Sequence, residues 1–547
     1  MRTPPGVSAS DFSAALQKFA DVVGKQWVFT TDDDLQLYRD AYSPLWGEEE
    51  ERVASAAVGP DSVEQVQRIV RIANACRIPL YTISTGKNLG YGGSAPAYSG
   101  SVVLDLKRMN RILEVNEKNA CALVEPGVSY FDLYRYIQEK KLKVWLDVPD
   151  PGWGSLIGNA LDRGGGSTMV QFRNHFDAHC GMEVVLANGQ LMRTGMGALP
   201  GAQSWQQFKA GFGPWIDGMF SQSNFGIVTK MGFWLMPEPE AFFRGSVFVP
   251  RYTDLIPLVD IVNLLENSRI FNGIPDLGSP LLGTPQVNEL EKFIEAGPPA
   301  PDSELAALLS RPEGAGPQEL EELGLRKGIP YWSCSFNFYG PEKVMRAQWE
   351  YVKEKFSAIA GATFRDDEFY KLPLSDAAQE KVRSATFGIP SLRIFSLGAR
   401  THSNSHPTNG HMWFSPVIPR TGEAILEANK VFGEAARKRG VPLMAGFSLP
   451  TTFWERAFVY IVAFPITRDI EINKRNREHF RYMIQIAAEH GWGEYRTAPV
   501  FQDDVMRTYS FNDHALLRFH ETLKDAVDPN GILSPGRYGI WPRHLRK

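Results

Sequence analysis

Apolar residues recur at helical spacing along Asp61-Ser-Val-Glu-Gln-Val-Gln-Arg-Ile-Val-Arg-Ile-Ala-Asn-Ala75, which predicts an amphipathic helix with Asp61 or Ser62 as its cap. Two short apolar runs follow, Ile78-Pro-Leu-Tyr-Thr-Ile83 and Ser101-Val-Val-Leu-Asp-Leu106, and both read as buried strands. Further strands are expected at 122–125 and 182–187, the second turning at Asn188-Gly189 through a two-residue hairpin into 190–194. The run 226–235 predicts a buried strand pair that closes this region near Pro237.

The pattern changes at Pro237-Glu-Pro-Glu240. Helical periodicity returns at 252–265, 342–358 and 422–439, and strand-like runs stand at 332–339 and 458–464. Between them, 296–316 is polar and rich in Pro and Gly, as an exposed excursion would be. No fixed repeat occurs, so neither a solenoid nor a propeller is indicated. The reading is an α+β protein whose character shifts near residue 240.

A chain of 547 residues exceeds the size at which a single core stays efficient, so two domains are expected. With 43% hydrophobic and 22% charged residues it has the composition of a globular enzyme. The net charge is −4, and its Lys and Arg are dispersed, which argues against a nucleic-acid partner. The first residues lack the apolar core of a signal peptide and no run reaches bilayer-spanning length, so a cytoplasmic protein without a membrane role is expected. Cys76, Cys121, Cys180 and Cys334 show no C-x-x-C spacing and read as reduced thiols.

The chemistry concentrates first in Ser84-Thr-Gly-Lys-Asn-Leu-Gly-Tyr-Gly-Gly93, a glycine-rich loop between two strands. No amphipathic helix opens at its glycines, which disfavours a dinucleotide site on a helix N-terminus. Gly86-Lys87 is followed by Asn88 and not by Ser or Thr, so it is not a nucleoside-triphosphate loop. An anion nest of backbone N–H groups remains, beside the plainer alternative of a surface turn. His175 and His179, four apart, read as a helix-face or packing pair, and His402 and His406 as solvated loop residues; no metal is expected.

Four separated motifs carry a family resemblance: the loop from Ser84, Gly158-Asn-Ala-Leu-Asp-Arg-Gly164, Ser223-Asn-Phe-Gly-Ile-Val-Thr-Lys230 and Asp528-Pro-Asn-Gly-Ile-Leu-Ser-Pro-Gly-Arg537. Together they resemble the flavin-binding signatures of the vanillyl-alcohol oxidase and p-cresol methylhydroxylase family. The likeness runs along nearly the whole chain and is strongest to its bacterial eugenol oxidase-like branch of 4-alkylphenol oxidases. It implies a discontinuous FAD-binding domain from 1–240 and 496–547, with an α+β cap domain at 241–495.

For the cofactor, the resemblance implies contacts from Ser84, Thr85, Gly86, Lys87, Asn88, Leu89, Gly90, Glu125, Pro149, Gly154, Ser155, Gly158, Asn159, Asn224, Gly226, Ile227, Val228, Arg496 and Arg537. His411 in Gly410-His-Met-Trp-Phe-Ser-Pro416 matches the histidine that family oxidases bond to the flavin 8α carbon. Tyr91, Tyr495 and Arg496 match the phenol-binding triad, and Asp150 matches a catalytic carboxylate near flavin N5. Its plainer reading is a turn residue before Pro151, and Asp147 is a rival. Ser167, Ser415 and Gly446 complete the implied substrate pocket.

The implied reaction is oxidation of para-substituted phenols, with O2 as acceptor and a p-quinone methide as product of benzylic hydride loss. A cytochrome-coupled dehydrogenase and a non-catalytic flavin-binding protein are the alternatives. The family also implies a homo-oligomer. Where relatives carry two tyrosines this chain reads Gly164-Gly-Gly-Ser-Thr-Met-Val-Gln-Phe-Arg173, and Gly446 replaces a glutamine, so a wider pocket for bulkier phenols is expected. The stretch 398–409 is also longer than the family pattern.

Overall fold

Alternating apolar segments in the first half of the chain build two sheets. The computed structural model describes residues 3–149, 151–282, 303–309, 311, 315–392, 410–440 and 451–546. Strands β1 (Val28–Phe29), β2 (Ala56–Val58), β3 (Leu80–Ile83) and β4 (Val102–Asp105) form a sheet in the order β1-β2-β4-β3. In this sheet β3 lies parallel to β4, so the crossover between these parallel neighbours is the helix-free stretch 84–101, which the glycine-rich loop opens. Helices Ala9–Val23 and Val63–Cys76 pack on this sheet through Phe12, Phe19, Val66 and Ile69. The predicted helix is therefore present, but Ser62 makes no side-chain cap bond and Asp61 is taken by Arg108 at 2.8 Å.

The chain continues through β5 (Ile112–Asn116), β6 (Cys121–Val124), β7 (Val144–Trp145), β8 (His179–Val185), β9 (Leu191–Arg193), β10 (Ile227–Trp234) and β11 (Met236–Pro237). Five of these make an antiparallel sheet in the order β5-β6-β10-β8-β9, while β7 pairs with β11. The β8–β9 turn is wider than its Asn-Gly signal suggests: Leu186 N donates to Gln190 O at 2.9 Å, enclosing three residues. The expected strand pair at 226–235 is one bulged strand, β10, because both its faces are covered and no turn residue interrupts it.

Past Pro237 a second layer begins. Strands β12 (Ala241–Val249), β13 (Asp276–Gly278), β14 (Trp332–Tyr339) and β15 (Thr363–Lys371) form the antiparallel sheet β13-β14-β12-β15. Helices Leu255–Asn267, Glu342–Phe356, Gly422–Arg439 and Ile470–Glu489 cover an aromatic core that includes Phe243, Trp332, Phe336, Trp349 and Phe432. The polar stretch 296–316 holds a short helix, Ser303–Leu309, in its described part. Strands β16 (Gly410–Phe414), β17 (Val417–Pro419), β18 (Thr451–Trp454), β19 (Ala457–Tyr460) and β20 (Val462–Ile466) complete the set, so the run predicted at 458–464 is split in two. The architecture is α+β in two layers of sheet, and no helix among the described residues is long and apolar enough to cross a membrane.

Candidate active site

An open cleft of about 1160 Å³ is bounded by the end of β3 and its glycine loop, the helix Leu156–Leu161, the start of β10 and the segment around Ser534–Arg537. Ser84, Thr85, Gly86, Lys87, Asn88, Tyr91, Gly154, Ser155, Gly158, Asn159, Asn224, Gly226, Ile227, Val228 and Arg537 all line it. The loop folds back on itself where Tyr91 N and Gly93 N both donate to Asn88 O, at 3.1 and 3.0 Å. Gly158 lets the short helix approach that loop, because a Cβ there would collide with Ser84 Oγ. Ser155 caps the helix, accepting from Gly158 N at 3.1 Å and donating to Pro126 O at 2.6 Å.

The C-terminal wall is fastened from the inside. Asn224 donates its side-chain amide to Ser534 O at 3.0 Å and Ile540 O at 2.9 Å, so its role is to hold the tail loop. Lys524, fully buried, donates to Asp528 Oδ2 at 2.7 Å, Asn224 O at 2.9 Å and Leu533 O at 2.7 Å. Asp528 in turn accepts from Ile532 N and Leu533 N. Sequence reading passed over Lys524, since a lysine in the helical run Phe511–Val527 looks like a solvated one.

Against Tyr91, which lines the cleft, the Arg496 guanidinium stacks over the ring at 3.8 Å and lies 5.4 Å from the Tyr495 ring; neither Tyr495 nor Arg496 is itself among the cleft-lining residues. Arg496 Nη1 donates to Asp162 O at 3.3 Å, while its Nε is buried with no hydrogen-bond partner. Burial would lower the pKa of this guanidinium, but the Tyr495, Tyr91 and Asp162 oxygens outweigh it and the group stays charged. Tyr495 donates its hydroxyl to Arg163 O at 3.1 Å, and burial pushes that hydroxyl's pKa up, keeping it a donor. The predicted triad is thus brought together.

His411 lies on β16, where a Cβ on Gly90 would come within 3.0 Å of its carbonyl oxygen, so the far end of the glycine loop rests on this strand. The imidazole is buried against Tyr42 and Trp413, with ring centroids at 5.2 and 4.3 Å. Burial lowers its pKa to about 4, and Nδ1 has no partner. A neutral imidazole with an unused nitrogen is what attack on an electrophilic carbon needs.

Other predicted residues stand apart from the cleft or have other work. Glu125 is fully buried, and its carboxylate accepts from Arg111 at 2.6 Å and 3.0 Å. Pro149 and Leu89 are not among the cleft-lining residues. Ser415 is buried, its N–H donates to Glu494 Oε1 at 2.6 Å and its Oγ is unpartnered; burial raises the Glu494 pKa well above the carboxylate range. Ser167 N donates to Asp147 Oδ1 at 3.1 Å. Asp150, Gly446, His402, His406 and the whole of 398–409 lie outside the described residues.

The glycines of the departing stretch do not open space. A Cβ at Gly164, Gly165 or Gly166 would collide with Asn159, Trp454 or Asp147 respectively. Trp454, on β18, packs against Tyr495 with ring centroids 5.5 Å apart. His175 and His179 do not share a helix face: each bonds its own buried carboxylate, Asp147 at 3.1 Å and Asp217 at 3.0 Å. His175 also meets Tyr130 at 2.9 Å and Asn159 at 2.5 Å, which ties Asp147 to the cleft.

A family model described as an FAD binding domain matches residues 54–195. The glycine-lined cleft and the unpartnered His411 Nδ1 fit that cofactor, and the chain is an FAD-binding flavoenzyme, an oxidoreductase. It is 35% identical over 544 residues to the 4-cresol dehydrogenase [hydroxylating] flavoprotein subunit of Pseudomonas putida, covering 98% of this chain and 97% of that one. Among solved structures it is similar to p-cresol methylhydroxylase with substrate bound, with a TM-score of 0.82 at 32% identity over 99% of both chains. It is likewise similar to 4-ethylphenol oxidase from Gulosibacter chungangensis in its isoeugenol complex, with a TM-score of 0.81 at 33% identity over 100% of both. The chain belongs to the vanillyl-alcohol oxidase and p-cresol methylhydroxylase family.

Proposed function

We propose that this enzyme oxidises para-substituted phenols at the benzylic carbon and returns its electrons to O2, releasing H2O2. The observation that supports it most is Arg496: a buried cation stacked on Tyr91, beside Tyr495, with an N–H left without a partner. A phenol has a pKa near ~10, so binding it as phenolate at neutral pH asks for about 4 kcal/mol of differential stabilisation, within reach of one guanidinium and the Tyr91 hydroxyl, with Tyr495 a second donor once its hydroxyl turns from Arg163 O. Tyr91, Tyr495 and Arg496 hold the phenolic oxygen, and the phenolate pushes electron density toward the para position.

FAD supplies the hydride acceptor. His411 would hold its ring by a covalent bond, the backbone of the 84–90 loop would hold its pyrophosphate, and Arg537 would be a further cofactor contact. Asp150 is assigned by resemblance as the carboxylate that stabilises positive character at the benzylic carbon and takes the proton of adding water. The substrates are 4-alkylphenols, 4-hydroxybenzyl alcohols and lignin-derived methoxyphenols. Residues 1–240 with 496–547 form the cofactor domain and 241–495 the cap, in a cytoplasmic homo-oligomer.

The alternative, a dehydrogenase passing electrons to a cytochrome, is favoured by the name of the Pseudomonas putida relative. His411 and Pro149 match the oxidase pattern and favour O2. A panel of para-substituted phenols with peroxide assay and product identification separates the two. Stoichiometric peroxide in air is the expected result; reoxidation only by added cytochrome c or dye overturns the oxidase part. No reduction by any phenol overturns the substrate class.

A further inference from the structure

Asp162 is the residue through which Arg537 and Arg496 are joined. Its buried carboxylate accepts from Arg537 Nη2 at 2.7 Å and from the Tyr538 hydroxyl at 2.8 Å on Oδ1, and from the Asn88 amide on Oδ2. Its carbonyl accepts from Arg496 Nη1 at 3.3 Å. One residue therefore grips Arg537 by its charge and Arg496 by its backbone. Among these three groups a single positive charge is left uncompensated.

Most neighbouring groups have partners of their own, and Arg173 is a further buried cation whose charge reaches Tyr495. Tyr91 and Tyr495 flank Arg496, and Tyr81 accepts from Arg537 Nη1 at 2.9 Å. Arg163 is directed to Ser221 Oγ, at 3.2 and 3.1 Å, and Arg173 lies over the Trp454 ring at 5.3 Å. Asp147 is occupied by His175 and Thr168. An asparagine at 162 could accept the Arg537 and Tyr538 bonds on its oxygen and donate its amide to Asn88 with the Asn88 amide turned over, so hydrogen bonding alone does not call for a carboxylate.

We propose that Asp162 is a charge-setting positioning residue: by neutralising Arg537 it leaves Arg496 as the unpaired cation of this cluster beside the phenol triad, and so tunes the pH at which a bound phenol ionises. This rests on the phenol reading above. The sign follows from Coulomb's law. Removing the carboxylate makes the site more positive and the bound phenolate more stable; removing Arg537 does the reverse.

The test is a spectroscopic pH titration of 4-hydroxybenzaldehyde bound to the FAD-loaded enzyme, since its phenol and phenolate forms absorb differently. Asp162→Asn is expected to lower the ionisation midpoint by about one pH unit, about a tenfold change in the ionised fraction at fixed pH. Arg537→Gln is expected to raise it. Opposite shifts support the charge role, since simple loosening of the site moves both variants the same way. Equal-signed shifts, or an unmoved midpoint in Asp162→Asn, overturn it. If Asp162→Asn does not fold, the Arg537→Gln midpoint decides: a rise supports the proposal and no rise overturns it. A wild-type enzyme that binds the probe with no pH-linked spectrum overturns the phenol reading itself, and with it this proposal.

Discussion

A buried imidazole with an unmade hydrogen bond forfeits about 1–3 kcal/mol, so His411 is a group whose position is costly unless a ligand uses it. Its lowered pKa, about 4, means that the ring is neutral throughout the neutral range, with one of its two nitrogens free of a proton. If it bonds the flavin, acid-precipitated protein stays yellow and its denatured band fluoresces under ultraviolet light, whereas His411→Ala releases all colour to the supernatant. A colourless wild-type pellet rejects the bond. His411 was legible only through the family motif, because its environment comes from elsewhere: Tyr42 stands far upstream in the chain. The same distance explains the misreading of His175 and His179. Their spacing is visible in the sequence, but their carboxylate partners, Asp147 and Asp217, sit on other segments. Asp162 was visible inside a cofactor motif, yet nothing local shows that it reaches Arg537 and Tyr538.

At the scale of elements, the glycine run 164–166 shows how a local departure can mislead. Small residues where relatives have tyrosines suggest an enlarged pocket, yet β18 delivers Trp454 into the space at Gly165. Trp454→Ala is accordingly expected to raise the ratio of kcat/KM for a bulky aryl-linked phenol over 4-ethylphenol by at least about tenfold, within the range for a change in apolar pocket volume. An unchanged ratio places Trp454 outside the substrate wall. Some elements escaped the apolar pattern for physical reasons. In β15, Thr-Phe-Arg-Asp-Asp-Glu-Phe-Tyr-Lys, charges dominate because it is an edge strand facing solvent. In β12, covered on both faces, Arg244, Gly245 and Ser246 interrupt the apolar run, and Gly245 is required where Trp349 packs. The strands β3 and β4 were legible because a fully buried parallel pair reads as continuous apolar residues.

Across the whole molecule, the cleft is closed by chain segments more than 300 positions apart, with the tail loop drawn onto β3 where Leu80 N donates to Ile532 O at 2.7 Å and Ser534 N to Leu80 O at 2.7 Å. What holds that loop is the buried Lys524–Asp528 pair, with both side chains fully excluded from solvent. Removing one partner of such a pair leaves a buried charge alone and typically costs about 3–5 kcal/mol. The cost falls locally, because the three acceptors of Lys524 all belong to the cofactor wall: Asp528, Leu533 and Asn224. The aromatic core under the cap sheet shares none of these bonds. Lys524→Met is therefore expected to weaken the cofactor wall first, with flavin fluorescence rising at a lower temperature than the aromatic core melts. The double change Lys524→Met with Asp528→Asn, which leaves no orphaned charge, should recover part of the loss. Following flavin fluorescence and tryptophan emission through one thermal ramp reads both events. Coincident transitions in Lys524→Met, at the wild-type temperature, mean that the buried pair does not hold the tail against the cleft.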